Sequence, residues 1–267
     1  MQQPKVVTLL SDFGLKDPYV AEMKAIILTK CSEAKIVDIS HEVDKFDIHM
    51  GSFILASAIP FFPEGTVHVA VVDPDVGTQR RPVIAETRRS LVVGPDNGVL
   101  MLAALKEGLR EVHVIENPRF MLPRVAKTFH GRDVFATAAA HLALGVDPSE
   151  FGQEIRDYVI PGFAKPVLKK NNVVGEVVHV DSFGNVITNI SSDIVKELST
   201  ENKSLWVKVG RKSAVLRLCS AYGEVAKGKP LLVIGSHDFL EISVNRGSAA
   251  QLFGTHCGNP VLVRRRA

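Results

Sequence analysis

The chain is short of cysteine, aromatics and long apolar runs, and each shortage removes a class of protein. Its three cysteines, Cys31, Cys219 and Cys257, are odd in number and far apart in 267 residues. They form neither a disulfide framework nor a CxxC pair, so reduced thiols in a cytoplasmic protein are expected. Aromatic content is 6%, with Trp206 the sole tryptophan. No apolar run approaches the roughly 18 residues of a membrane helix, so no membrane association is expected. The N terminus enters a short strand pattern directly, without the charged and apolar regions of a signal peptide. Net charge is only +3. The basic residues form no stripe, "RRR" at 264–266 reads as a solvated end, and nucleic acid is not an expected partner. Also missing are GxGxxG, the phosphate loop GxxxxGK[ST], the GxSxG elbow and HExxH, which argues against ordinary nucleotide-fold enzymes, serine hydrolases and zincins.

What is present begins with ordinary globular usage, 46% apolar and 23% charged. The first part alternates short apolar runs with helical periods. "KVVTLLSD", "AKIVDIS", "GTVHVAVVD", "SLVVGPDNG" and "REVHVIE" read as strands. Helices are expected after Asp17-Pro18, from Asp47 to Ile59, over "GVLMLAALKEG", and over "RDVFATAAAHLALG". Strands alternating with helices predict an α/β domain with a mainly parallel sheet flanked by helices. From Val146 to Asn172 prolines, glycines and "KKNN" intervene. Short β-like runs divided by Gly, Asn and Asp follow, predicting a small antiparallel β-barrel. The expected division is an N-terminal domain over 1–160, a linker over 161–172 and a C-terminal domain over 173–267.

In open parallel sheets ligands bind beyond the carboxyl ends of strands, and three polar clusters fall there: Ser11-Asp12, Asp73 to Arg80, and Gly94 to Gly98. Asp12 can accept two bonds from a vicinal diol or close an Asx turn. Asp17 reads as a helix cap. Asp73 with Arg80 and Arg81 is either an exposed ion pair or a device that holds a water. His130 opens a helix, whose positive end favours a neutral, proton-accepting imidazole. Asp73, Asp75, His41, His68 and His130 are metal-type donors, but without metal-site spacing, and no metal is expected. Phe183 and Asn185 in "DSFGNVITNI" suit stacking on a base and reading its edge, or simply make a Gly-Asn turn.

Taken together, "LLSDFGLKDPYVAEMKAII", "VVDPDVGTQRR", "GPDNGVL", "FHGRDVFATAAAHLA", "DSFGNVITNI" and "FLEISVNRGSAAQLFG" resemble the S-adenosyl-L-methionine hydroxide adenosyltransferases, relatives of the fluorinase and chlorinase enzymes. The resemblance implies hydrolysis of S-adenosylmethionine to adenosine and methionine by water-derived attack on ribose C5′, without a cofactor. It implies a homotrimer with active sites between subunits. Matched positions imply Asp73, Arg80 and His130 as the water-activating set, Asp12 as the ribose-diol ligand, and Asp17 near the methionine moiety. They further imply Phe183 and Asn185 at the adenine, Asp181 and Ser236 at the amino-acid end, and the loop carrying Arg246 and Ala249 beside the adenine. His130-Gly131 stands where halogenating relatives have Tyr-Ser, which favours water over halide. Asp75 replaces a common glycine, so a left-handed turn and an effect on Asp73 are expected there. A non-catalytic nucleoside-binding trimer and a halogenase-like enzyme remain the alternatives.

Overall fold

The run Val6–Ser11 forms strand β1 with every residue buried, as a parallel strand covered on both faces requires. A computed structural model describes residues 5–169, 171–198 and 204–265, and the chain divides into two units, Met1–Pro161 and Gly162–Ala267. In the first, β1 leads through α1 (Tyr19–Lys30) to β2 (Lys35–Ser40), α2 (Ile48–Ala58) and β3 (Val67–Val71). Then come β4 (Pro82–Glu86), β5 (Leu91–Pro95), α3 (Met101–Lys106), β6 (Glu111–Val114) and α4 (Thr137–Ala143). The sheet order is β2-β1-β3-β5-β4-β6. Strands β2, β1, β3 and β5 are parallel, and β4 runs antiparallel to both its neighbours. The mainly parallel sheet is as read from the sequence, with one strand that the reading missed. Strand β4 starts on Pro82, which is tolerated in a first strand position but looks in sequence like the end of a loop.

The core places Val7, Leu9, Val67, Val69 and Val71 against Met23 and Ile27 of α1 and Ala138 to Ala140 of α4. Each large apolar side chain so buried contributes about 1.5–3 kcal/mol. A polar pair also lies inside: Thr8 and His68 face each other across β1 and β3, with Oγ1 and Nδ1 2.8 Å apart. Burial pulls the His68 pKa down to about 3.

Two helix starts differ in how they are made. Asp47 caps α2, its Oδ1 accepting from the Met50 amide at 2.9 Å. The expected Asp17 cap of α1 is not formed: the helix starts one residue after Pro18 without a side-chain cap bond. The turn Gly131–Ala136 before α4 is wound as a π-helix, a local widening frequent at functional sites.

The second unit contains β7 (Val167–Lys169), β8 (Asn172–Val180), β9 (Val186–Ser191), α5 (Ser192–Leu198), β10 (Ser204–Val209) and β11 (Lys212–Cys219). It ends with β12 (Pro230–Ile234), β13 (Phe239–Val244), α6 (Ala249–Phe253) and β14 (Pro260–Arg265). Among the described residues, β14-β10-β11-β12-β13-β9-β8 form a ring that closes through β14 and β8. This is the expected barrel; its strand pairs are antiparallel except β11 with β12. Alternate residues fill it, Leu205, Val207 and Val209 from β10 and Val261 and Val263 from β14. Strand β7 lies within the stretch read as a linker and pairs with β8. No described helix is long and apolar enough to cross a membrane.

Candidate active site

Asp73 leaves the sheet two residues beyond β3, where the backbone is still held. The Val72 carbonyl accepts from Asn97 Nδ2 at 2.8 Å. The loop then folds on itself, with the Val76 amide donating to the Asp73 carbonyl at 3.3 Å and the Thr78 hydroxyl to the Asp75 carbonyl at 2.8 Å. Gly77 takes φ +79°, and a Cβ there would stand 2.3 Å from the Lys127 carbonyl oxygen. Glycine alone permits this approach, which lays the 73–80 loop against the segment that leads into His130. The left-handed position is therefore Gly77; Asp75, expected to take it, is exposed and has no positive φ.

Three side chains meet as a result. Arg80 Nε donates to Asp73 Oδ1 at 2.9 Å and Nη2 donates to Asp73 Oδ2. The same Nη2 lies 3.0 Å from His130 Nδ1. The side chains of Asp73 and Arg80 are only 5% and 6% exposed, and the guanidinium carbon lies 5.2 Å from the centre of the Phe135 ring. A bidentate, charge-assisted pair so shielded from water is among the strong ones.

A guanidinium can only donate, so His130 Nδ1 accepts and the neutral ring carries its proton on Nε2. Burial first, and the Arg80 charge second, hold the His130 pKa below its ordinary value against the opposing pull of Asp73 and Asp133. The neutral ring was expected, but burial and an arginine are its causes here in place of the helix end. The same bond occupies the Nδ1 lone pair and leaves Nε2–H as the group the ring can donate.

Arg81 does something else. Its Nε and Nη2 donate to Asp96 Oδ2 at 3.0 and 2.8 Å, and Nη1 donates to Asp157 Oδ1 at 2.8 Å. Asp96 Oδ1 in turn accepts from the Val159 amide at 2.8 Å. The second arginine of the pair is thus a fastener for the 157–159 segment.

Asp12 sits apart from this network, at the end of β1. Its Oδ2 accepts from the Phe46 amide at 3.0 Å and its carbonyl accepts from Lys45 Nζ. The neighbouring Ser11 Oγ lies 2.7 Å from His41 Nδ1, which further ties this strand end to the 41–46 loop. A cavity of about 530 Å³ opens here, lined by Asp12, Phe13, Asp17, Glu42 and Lys45 among others, a size ordinary for small-molecule sites. Asp17, expected at the helix start, lines the cavity. Phe46 was missed by sequence reading: it is 66% exposed with φ +66°, and its only sequence signal is an aromatic in a polar loop. Phe13, next to Asp12, packs edge-on to Phe129, next to His130, with ring centres 5.8 Å apart. The two strand-end regions are thereby braced through aromatic rings.

In the C-terminal unit Asp181 organises a turn. Its Oδ1 accepts the Phe183 and Asn185 amides, both at 2.9 Å, and its Oδ2 accepts Asn185 Nδ2 at 2.8 Å. Phe183 stands 78% exposed at the tip while Asn185 is buried. Gly184 at φ +81° lets the turn dock, since a Cβ would lie 2.2 Å from Ser248 Oγ. The Ala250 amide donates to the Gly184 carbonyl at 3.0 Å, so the turn lies beside the loop that holds Arg246 and Ala249. Arg246 is exposed with φ +55°, and Ala249 is fully buried. Ser236 is exposed in the β12–β13 turn.

Glu241 was also missed. It is a buried carboxylate within the apolar strand β13, bonded to Tyr222 Oη at 3.0 Å. Burial raises its pKa, the Tyr222 bond opposes that, and Asp181 raises it further. Burial and then Glu241 push the Tyr222 hydroxyl up to about 12. A charged residue amid "FLEISV" was the available signal. Among the described residues no three His, Cys, Asp or Glu side chains group as a metal site would require.

An α/β unit with a buried carboxylate–guanidinium–imidazole set, joined to a closed barrel, defines a two-domain class of protein, and comparison narrows it. The model of the SAM hydroxide adenosyltransferase N-terminal domain matches residues 7–152, and that of the C-terminal domain matches 175–262. The chain belongs to the SAM hydroxide adenosyltransferase family. It is 41% identical over 262 residues to the (R)-S-adenosyl-L-methionine hydrolase of Thermus thermophilus, covering 96% of this chain and 98% of that one. Identity to the enzyme of the same name from Methanocaldococcus jannaschii is 36%, covering 92% and 91%. A crystal structure of an uncharacterized conserved protein from Thermotoga maritima superposes with a TM-score of 0.83 at 38% identity, covering 97% of this chain and all of that one.

Proposed function

We propose that this chain hydrolyses S-adenosylmethionine, preferring the (R) sulfonium epimer named in its relatives, to adenosine and methionine. The buried Asp73–Arg80–His130 network carries the reading, because it is a preformed, water-poor place where one solvent molecule can be gripped. The leaving group is a neutral thioether departing from a cation, so no general acid and no cofactor is needed. Water attacks C5′ in line with the C5′–S bond, the new C–O bond forms as the C–S pair returns to sulfur, and the water proton passes to Asp73. Arg80 keeps Asp73 ionised and aimed, and His130 Nε2–H orients the oxygen. Such proton acceptance contributes about 10²–10⁴-fold, and orientation of the water contributes more.

Asp12 takes the ribose diol, with Phe46 beside it, and Asp17 lies toward the methionine portion. Phe183 stacks on adenine and Asn185 reads its edge, with the backbone of Arg246 and Ala249 alongside. Asp181, Ser236 and Glu241 receive the amino-acid end, where a carboxylate pair suits an ammonium. A homotrimer, each active site formed by the N-terminal unit of one subunit and the C-terminal unit of the next, unites the two sets.

Incubation of the purified chain with each epimer, followed by chromatography, tests this. Adenosine and methionine appear, faster from the (R) epimer. S-adenosylhomocysteine as product, or tight adenosine binding without turnover, contradicts it.

A further inference from the structure

Behind His130 lies a second set of charges that the reaction itself does not use. Asp133 is fully buried. Its Oδ2 accepts from the Ala126 amide at 2.7 Å and its Oδ1 from Arg132 Nε at 2.6 Å. Its carbonyl accepts the Leu122 amide at 2.9 Å. One residue therefore ties both Leu122 and Ala126 of the incoming loop to the π-helical turn, leaving His130 between two fixed points. Arg132 carries the tie outward: Nη1 donates to Glu22 Oε2 of α1 at 2.7 Å, and its guanidinium carbon lies 4.9 Å from the centre of the Phe129 ring. Phe129 in turn meets Tyr19 at 5.1 Å as well as Phe13. Gly131 completes the clamp, since a Cβ there would lie 3.2–3.3 Å from Phe129, Met23 and Phe13.

The backbone on either side of His130 is held by a buried carboxylate, whose removal leaves donors without partners, and by an ion pair to another helix. We infer that Asp133, through Arg132 and Glu22, is a positioning residue that holds His130 against Arg80 and so sets the alignment of the nucleophile. Asp133 bonds to Ala126, Arg132 and Leu122 and not to Asp73 or Arg80, so its effect on the nucleophile passes through His130. The inference rests on the catalytic reading of His130.

A double-mutant cycle tests it. Asp133→Asn lowers kcat at least tenfold with KM within twofold of native. In a His130→Ala background the same substitution changes kcat less than twofold, because the group it positions is gone. An equal loss in both backgrounds, or an unchanged kcat in the native background, overturns the inference. Should Asp133→Asn fail to fold, Glu22→Gln at the partly exposed end of the relay runs the same cycle. It lowers kcat about threefold in the native enzyme and not at all without His130; equal losses, or none in the native enzyme, overturn the inference. Full turnover by His130→Ala alone identifies the catalytic reading, and with it the inference, as the failure.

Discussion

In the N-terminal unit the Asp73–Arg80 pair sits under cover, the two side chains at 5% and 6% exposure with every oxygen of the carboxylate bonded. In the C-terminal unit Phe183 stands 78% exposed on a turn, and Ser236 and Arg246 lie on turns as well. The first arrangement keeps charge out of water, where each interaction is strong and little reorganisation is needed. The second presents an aromatic face and backbone groups to something that arrives. Variants of the buried Asp73–Arg80 pair are therefore expected to act on kcat, and variants of the exposed Phe183 turn on KM.

The largest expected effect is at the covered end. Asp73→Ala loses about 10²–10⁴-fold in kcat, by removal of the proton acceptor, with KM near native in steady-state assays. A KM effect alone would erase the contrast. Gly77→Ala comes next, since it forces a Cβ onto the Lys127 carbonyl at a left-handed position. A destabilisation of about 3 kcal/mol is expected from such strain, read as a lower Tm with a fall in kcat.

Cover also makes the first unit acid-sensitive. His68 has its pKa at about 3 in the fold against 6.5 unfolded. Below pH 6.5 the unfolded chain takes a proton the folded one refuses, so stability falls with pH until about pH 3. The loss by pH 5 is about 2 kcal/mol, at about 1.4 kcal/mol per pH unit. Thermal unfolding from pH 7 to 5 measures it, and His68→Gln flattens the profile. His130, also lowered by burial, adds to the loss in the same direction.

The smallest effect is expected at the exposed end. Phe183→Ala raises KM about tenfold, the low end of base stacking at about 1–3 kcal/mol, and leaves kcat within twofold. A matching collapse of kcat would mean that the turn also takes part in the chemistry.

Much of this contrast was legible in the residues themselves. Continuous apolar runs announced the parallel strands, and strand-end clusters pointed to Asp12, Asp73 and the Asp96-Asn97 turn. Motif resemblance singled out Asp73, Arg80 and His130, which the fold does bring together. Less visible was what depends on tertiary neighbours. Nothing local distinguishes Arg80 from Arg81, because their directions are set by Asp73 and Asp96 across the sheet edge. Nothing in "TFHG" says which imidazole nitrogen is free, since that follows from a guanidinium fifty residues away. Strand β4 was hidden because its pairing partners, β5 and β6, and not its own short sequence, make it a strand.

The central claim is that a solvent molecule gripped by Asp73, Arg80 and His130 attacks the ribose 5′ carbon of a sulfonium nucleoside. Turnover of S-adenosylmethionine in ¹⁸O-water, read by mass spectrometry, tests it directly. The label is expected in the 5′ oxygen of adenosine, with methionine unlabelled. Label in homoserine beside methylthioadenosine, or unlabelled adenosine, contradicts the account.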